Sequence, residues 1–170
     1  MCLMNIDENN KEKVRNFLKT HAVAVLSTVS YDNTPYAAAI YVVTDDAFNF
    51  FFITKSDTKK SRFIMDNHNA ALTIVDPEIP MTVQVTGTVT KVDDPDKFLH
   101  MFIKIAEENA QKIGGFHWPP PLSKLKSPGD LWMYKLEPTW LRLGDFSESD
   151  DVTNTSKHIF LQLIPQEGKS

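Results

Sequence analysis

The chain has 170 residues, 42% of them hydrophobic and 24% charged, which is the size and composition of one globular domain. Its 18 Lys and Arg residues against 22 Asp and Glu argue against a nucleic-acid-binding protein, because such proteins are basic or carry a broad basic face. No apolar run approaches the roughly 20 residues needed to cross a bilayer, and residues 1–10 are too polar for a signal peptide. We therefore expect a cytoplasmic protein with no membrane partner.

The first part of the chain predicts a helix followed by an antiparallel meander. Residues 9–21 have the apolar spacing of a short amphipathic helix. Two β-rich runs, 22–29 and 36–43, flank an Asp/Asn/Pro segment, which is typical of a hairpin. Within that segment Asn33 is the residue best able to adopt a left-handed turn conformation. A turn at 44–46 then leads to an apolar strand that starts at Phe48.

The second part predicts further strands separated by two helices. The helices are expected over 58–67 and from Asp94 to the Gly114-Gly115 pair, and the strands over 71–75, 81–92, 131–136 and 139–143. Gly87 interrupts the apolar face of the long strand, and a glycine at such a position commonly marks a bulge or a barrel corner. The pattern favours a small closed or partly closed barrel over a flat sheet.

The chain divides into two predicted regions. Residues 1–146 are expected to form the barrel domain, and 147–170 a polar connection and C-terminal tail. The apolar run 158–164 within that tail is either a swapped or partner-facing element or a loosely docked end.

Positive charge and hydroxyl groups are concentrated where the Phe48 strand runs into the next helix. Lys55, Lys59, Lys60 and Arg62 lie within eight residues of one another, interleaved with Ser and Thr. The first-turn N–H groups of a helix and its dipole favour an anion, and lysine adds a full charge. This junction predicts a phosphorylated small molecule as ligand; the alternative is that the lysines form a solvated helix face.

Several segments in this order carry a family resemblance. They are VAVLSTVSYDNTPYAAAIYVV, FNFFFITKSDTKKSRFI, MTVQVTGTVTKVDD and LWMYKLEPTWLRLGDF. Together they resemble the pyridoxamine 5′-phosphate oxidase-like, FMN-binding split-barrel superfamily over most of residues 10–146. The resemblance implies a mainly β fold, a six-stranded antiparallel split β-barrel of Greek-key type with flanking helices. It also implies a homodimer that binds FMN in grooves between the subunits.

The resemblance also assigns site residues. Thr58 and Lys60 match the pair that holds the FMN phosphate, and Thr54 matches a strand-end threonine near the ribityl chain. Residues 39–41 match the strand beside the isoalloxazine edge, while Gln84 and Trp140 match positions that face the flavin, often from the other subunit. The cofactor-binding residues implied in this way are Ala39, Ile40, Tyr41, Ile53, Thr54, Thr58, Lys59, Lys60, Gln84 and Trp140.

The functional expectation is an FMN-dependent oxidoreductase that transfers hydride to or from a small organic substrate, with NADH or NADPH as electron donor. Residues 37–41 lack the charged pattern of the oxidase itself, and 140–146 lack its pyridoxal-phosphate signature, so we do not expect that activity. Tyr41, Phe116, Trp118 and Trp140 predict an apolar, aromatic pocket above the flavin.

Two alternatives remain open. One is a non-enzymatic flavin-binding or stress-response module, and the other is the deazaflavin- or haem-binding branch of the same barrel. No metal site and no catalytic side chain are expected, because the five histidines are scattered without ligand spacing and the redox chemistry would belong to the cofactor.

Overall fold

The computed structural model describes residues 8–76, 78–94, 99, 100, 102, 131–146 and 159–164, the last range as backbone only. The elements, in chain order, are α1 (Glu8–Thr20), β1 (Val23–Val29), β2 (Pro35–Tyr41), β3 (Val43–Thr44), β4 (Phe50–Lys55), α2 (Lys59–Asp66), β5 (Asn69–Asp76), β6 (Met81–Lys91), β7 (Leu131–Asp145) and β8 (Ile159–Ile164). No helix in these ranges is long and apolar enough to span a membrane.

The sheet is antiparallel and curls until its two ends meet. Its strand order is β2-β1-β5-β6-β7-β4-β3. β2 and β3 are separated only by Val42, whose N–H donates to the carbonyl of Ala22 at 2.8 Å. Both ends of the strand order therefore lie on one continuous segment, 35–44. Because β2 and β3 belong to this one segment, they count as a single barrel strand. The barrel then has six strands, which confirms the predicted split-barrel fold.

The core lies inside this barrel, and strict alternation of side chains builds it. In β6, Val83, Val85 and Val89 are 0–1% exposed and share the inward face with Gly87, while Gln84, Thr86 and Thr88 face outward. On the neighbouring strands β7 and β4, Tyr134, Phe50 and Phe52 are fully buried in the same core. Each large apolar side chain buried in this way contributes about 1.5–3 kcal/mol, so the inward face of the strands supplies most of the stability.

The predicted bulge at Gly87 is confirmed. The register between β6 and β7 shifts between Thr86, opposite Trp140, and Gly87, opposite Pro138. Thr139 is thus the extra residue of the bulged strand. The prediction of two strands, 131–136 and 139–143, was wrong, because β7 is one strand of 15 residues. A bulge tolerates Pro138 where a regular ladder would need its N–H, so the proline does not end the strand.

The start of β4 was also predicted wrongly. Phe48 has φ 65°, and its N–H donates to the carbonyl of Asp45 at 3.0 Å, so it belongs to the preceding turn. The carboxylate of Asp45 accepts from the N–H groups of Ala47 and Asn49 at 3.0 and 2.8 Å, which extends this turn to Asn49. Asn33, by contrast, has φ 64° at the tip of the β1–β2 hairpin, as predicted.

Helix α1 packs on the barrel and makes two polar contacts with it. Its residues Val14, Phe17 and Leu18 are buried, which confirms the predicted apolar face. Near the middle of the helix, the ammonium group of Lys13 lies 2.5 Å from the buried carboxylate of Asp145 at the end of β7. One residue beyond the helix, His21 Nε2 lies 2.6 Å from Asp76 Oδ2 at the end of β5.

Several sequence-based expectations concern residues at the margin of the described part. Of the helix predicted from Asp94 to Gly114-Gly115, residues 99, 100 and 102 are described and are helical. Phe116, Trp118 and the connection 147–157 lie outside the described residues. The apolar run near the C-terminal end forms β8, which pairs antiparallel with the second half of β7 in the same chain.

Candidate functional site

The junction between β4 and α2 brings together the predicted phosphate-binding residues. Thr58 has an extended backbone (φ −73°, ψ 154°) and is the N-cap of α2. Its Oγ1 accepts from the Ser61 N–H at 3.3 Å and lies 3.2 Å from Oγ1 of Thr54, the buried threonine near the end of β4. Threonine is a favoured N-cap because its oxygen satisfies an unpaired first-turn N–H. Two hydroxyl groups thus converge at the start of the helix.

The two predicted lysines differ in their surroundings. Lys59 is exposed, and its ammonium group lies 5.2 Å from the ring centroid of Tyr36 and 5.3 Å from that of Phe63. Lys60 is half-buried, and no described residue makes an ion pair or hydrogen bond with it. Burial lowers the pKa of Lys60 from its usual 10.5, because a desolvated ammonium group is disfavoured. An anion beside Lys60 would favour the charged form and so offset the cost of burying the ammonium group.

A buried hydrogen bond fixes the first turn of α2 against the barrel. Ser61 Oγ lies 2.6 Å from the hydroxyl of Tyr134, and both side chains are 0% exposed. The Tyr134 ring stacks on Phe52 with centroids 5.5 Å apart, so the anchor continues into the core. Sequence reasoning missed both Ser61 and Tyr134, because only the fold pairs residues that are 73 positions apart.

A second group of predicted residues lies on the outer face of the sheet. The strand register places one row of neighbours across six strands; its members are Ala39, Val25, Thr73, Gln84, Arg142 and Gln162. Trp140 lies on the same face of β7, opposite Thr86. The predicted residues Ala39, Gln84 and Trp140 therefore share one surface.

Arg142 completes this outer group, and sequence reasoning did not select it. Its Nη2 donates to Gln84 Oε1 at 2.7 Å, and its guanidinium lies 5.3 Å from the centroid of the Trp140 ring. All three side chains are partly buried. Its one available signal was the i, i+2 spacing from Trp140, which places both side chains on one face of a strand.

The remaining predicted residues are less accessible. The Ile40 side chain is 5% exposed and belongs to the core, so only its backbone could reach a ligand on the outer face. Tyr41 is 4% exposed and packs with Ala22 and Phe102, and Ile53 lies against the same cluster.

The Tyr41 hydroxyl has no hydrogen-bond partner among the described residues, and burial raises its pKa. An unpaired buried hydroxyl costs about 1–3 kcal/mol, which an acceptor supplied by a ligand would recover.

A cavity of about 330 Å³ lies elsewhere, between α1 and the turn before β4. Arg15, Lys19 and Phe48 are among its lining residues, and the Arg15 guanidinium lies 5.2 Å from the Phe48 ring centroid. None of the predicted cofactor residues lines this cavity. The predicted cofactor residues lie instead at the β4–α2 junction, on the outer face, and in the cluster around Tyr41.

Comparison with known proteins gives the following matches. A family model described as pyridoxamine 5′-phosphate oxidase matches residues 10–143. General Stress Protein 26 from Bacillus anthracis str. Sterne has a TM-score of 0.56 and 20% identity, over 78% of this chain and 92% of that one. PhzG from Burkholderia lata 383, in complex with tetrahydrophenazine-1-carboxylic acid, has a TM-score of 0.60 and 17% identity, over 91% of each chain.

A pyridoxamine 5′-phosphate oxidase-related, FMN binding protein from Nostoc punctiforme PCC 73102 has a TM-score of 0.56 and 13% identity, over 97% of this chain and 98% of that one. At these identities the structural likeness establishes the fold alone. No curated protein matches the chain significantly in sequence.

Proposed function

The chain belongs to the pyridoxamine 5′-phosphate oxidase family, and we propose that it is an FMN-binding oxidoreductase that acts on a small organic molecule. The proposal rests on Lys60, a half-buried cation with no acidic partner among the described residues. It lies in the first turn of the helix whose N-cap, Thr58, contacts the Thr54 hydroxyl. A phosphate supplies the missing negative charge and acceptor oxygens. FMN carries such a phosphate.

The residues at the β4–α2 junction suit a phosphate in charge and in hydrogen bonding. Lys60 would pair with it, and the first-turn N–H groups of α2 would donate to it. The Thr58 hydroxyl donates to the Lys55 carbonyl at 2.9 Å in this structure and would turn from it to donate to the phosphate together with Thr54. The first turn of α2 contains no acidic residue that would repel an anion. The buried Ser61–Tyr134 hydrogen bond holds this turn in place, so little ordering is needed on binding.

We place the isoalloxazine ring on the outer face of the sheet, against a second copy of the chain. The surface formed by β1, β2 and β5 exposes apolar side chains, with Val23, Val25 and Val75 43–56% exposed, and small ones such as Ala37 and Ala39. Exposed apolar patches of this kind commonly mark interaction sites. A homodimer would bury the patch and exclude water from the flavin.

The protein's part in the reaction is binding, orientation and exclusion of water. When bound, FMN would supply the hydride-transfer chemistry, with NADH or NADPH as electron donor. In the row that spans Ala39 to Arg142, Arg142 is the only charged member. A surface of apolar and neutral polar side chains with a single cation, which itself donates to Gln84, supports a small organic substrate rather than a second phosphate.

A second candidate is a flavin-binding stress-response module without turnover, favoured by the structural likeness to General Stress Protein 26. Mixing the FMN-loaded protein with NADH or NADPH under anaerobic conditions separates the two candidates. An oxidoreductase bleaches the flavin absorption within a catalytic timescale, whereas a passive binder leaves it oxidised. Deazaflavin and haem are tested as competing ligands in the same protein.

The phosphate assignment is tested by titrating FMN and riboflavin, which lacks the phosphate, into the wild type and Lys60→Met. A charge-assisted hydrogen bond contributes about 1.5–3 kcal/mol, so Lys60→Met should weaken FMN binding by one to two decades and leave riboflavin unchanged. Arg62→Met, which removes an exposed charge from the same helix, is the control and should bind FMN normally. Equal FMN affinity in the wild type and Lys60→Met would refute the assignment.

A further inference from the structure

The pair formed by Arg142 and Gln84 constrains the chemistry of the outer face. The two residues are direct neighbours on β7 and β6, and Arg142 Nη2 donates to Gln84 Oε1 at 2.7 Å. A side-chain amide has one acceptor end and one donor end. Because the oxygen faces Arg142, the NH₂ group is the end available to other partners.

The opposite orientation of this amide is excluded on electrostatic grounds. Amide oxygen and nitrogen are distinguished by their hydrogen-bond partners, and guanidinium is only a donor. Rotating Gln84 by 180° would bring NH₂ against N–H at 2.7 Å, a donor facing a donor. Arg142 therefore determines which end of Gln84 faces away from it.

Trp140 keeps the guanidinium in this position. Its ring centroid lies 5.3 Å from Arg142 Cζ, within the range of a cation–π contact. Holding a long side chain in one geometry costs conformational entropy, and the contact with the Trp140 ring offsets part of this cost. The trio is thus ordered before a ligand arrives.

We propose that Arg142 is a positioning residue that makes Gln84 a dedicated hydrogen-bond donor to the ligand of the outer face. This inference rests on the proposed function, in which that ligand is the isoalloxazine ring. The ring offers carbonyl oxygens and unprotonated nitrogens as acceptors, which match an amide NH₂. A donor at such an acceptor stabilises the reduced, more negative ring, so the pair would also raise the flavin reduction potential.

The test compares four variants by FMN affinity and by the midpoint potential of the bound flavin. Arg142→Met removes the anchor, and Arg142→Lys keeps a donor within reach of Gln84. Gln84→Met removes the donor to the ligand without adding a charge. The double variant Arg142→Met with Gln84→Met closes a double-mutant cycle. Thermal unfolding of each variant without FMN reports folding separately.

We expect Arg142→Met and Gln84→Met each to weaken FMN binding about fivefold to tenfold and to lower the potential. The double variant should bind FMN no more weakly than the weaker-binding single variant. Arg142→Lys should recover most of both properties. Losses that add in the double variant, or wild-type affinity and potential in Arg142→Met, would overturn the positioning role while leaving FMN binding in place. A wild-type protein that binds no flavin would overturn the proposed function and this inference with it.

Discussion

Lys60 shows how burial can give a single residue functional meaning. A solvated lysine at a helix start contributes little, but Lys60 is half-buried, and desolvation lowers its pKa. Neighbouring Lys59 instead contacts the aromatic rings of Tyr36 and Phe63, so two adjacent lysines that look equivalent in sequence have different roles. The sequence predicted the cluster, and the fold distinguishes its members.

The lowered pKa of Lys60 predicts a pH dependence of FMN binding. The phosphate requires the charged ammonium, so affinity should be constant around neutral pH. It should fall as pH rises through the Lys60 pKa of the free protein, which lies below the usual 10.5. Riboflavin affinity should not change over that window. Titrations of both ligands between neutral pH and pH about 10 check this, and Lys60→Arg, which stays charged, should remove the alkaline loss.

A loss of FMN affinity that is the same in the wild type and in Lys60→Arg would assign the pH dependence to another group. Below pH about 6 a separate decrease is expected, because the phosphate then loses its second charge. The alkaline and acidic decreases in FMN affinity can be told apart because only the alkaline decrease depends on residue 60.

Among the elements, the β6–β7 pair is the longest ladder, and its bulge depends on Gly87. A Cβ added at Gly87 would lie against the Glu137 carbonyl oxygen and 2.8 Å from its carbonyl carbon. These are backbone atoms of the partner strand, which cannot move without disturbing the ladder. We predict that Gly87→Ala lowers the free energy of unfolding by at least about 2 kcal/mol, measured by urea denaturation.

Gly144 provides the matched control on the same ladder. A Cβ there would meet Phe146 Cε2 at 3.0 Å and Thr82 Oγ1 at 3.1 Å, both side-chain atoms that can shift. Gly144→Ala should therefore cost about 1 kcal/mol or less. Equal stability losses in the two variants would contradict a specific backbone contact at the bulge.

The elements also show where sequence patterns stop being informative. The alternation in β6 and the glycine within it predicted both the strand and its bulge, because each is a local signal. The continuity of β7 through Pro138 and the turn conformation of Phe48 were missed. The first depends on pairing with β6, and the second on burial of the Phe48 ring in the core, which compensates an unfavourable positive φ.

The whole molecule closes on one segment, 35–44, and leaves an apolar sheet face outside the closed barrel. The barrel fold and most of the proposed cofactor residues were predictable from segment order and family resemblance. The pairing of Ser61 with Tyr134 and of Gln84 with Arg142 was not, because residues separated by 73 and 58 positions meet only through tertiary structure.

For the proposed dimer, we predict that Val25→Asp produces a monomer with little loss of stability. Val25 is 47% exposed, so the chain alone tolerates the charge, but a buried interface would not. Light scattering after gel filtration measures the oligomeric state, and FMN retention should fall with the dimer. Tyr31→Asp, at the hairpin tip where Tyr31 is 81% exposed, should remain dimeric.

A wild-type monomer that still binds FMN fully would contradict the shared-site proposal, although the phosphate site at β4–α2 would stand. If Val25→Asp remains a dimer, the dimer interface lies on another surface of the protein.

A visible absorption spectrum tests directly whether the β4–α2 junction holds the phosphate of FMN. Purified protein is mixed with excess FMN, desalted and scanned, with Lys60→Met treated in parallel. We expect the wild type to retain flavin bands near one FMN per chain and Lys60→Met to lose most of them. A colourless wild-type protein, or equal retention by both, would contradict the phosphate assignment.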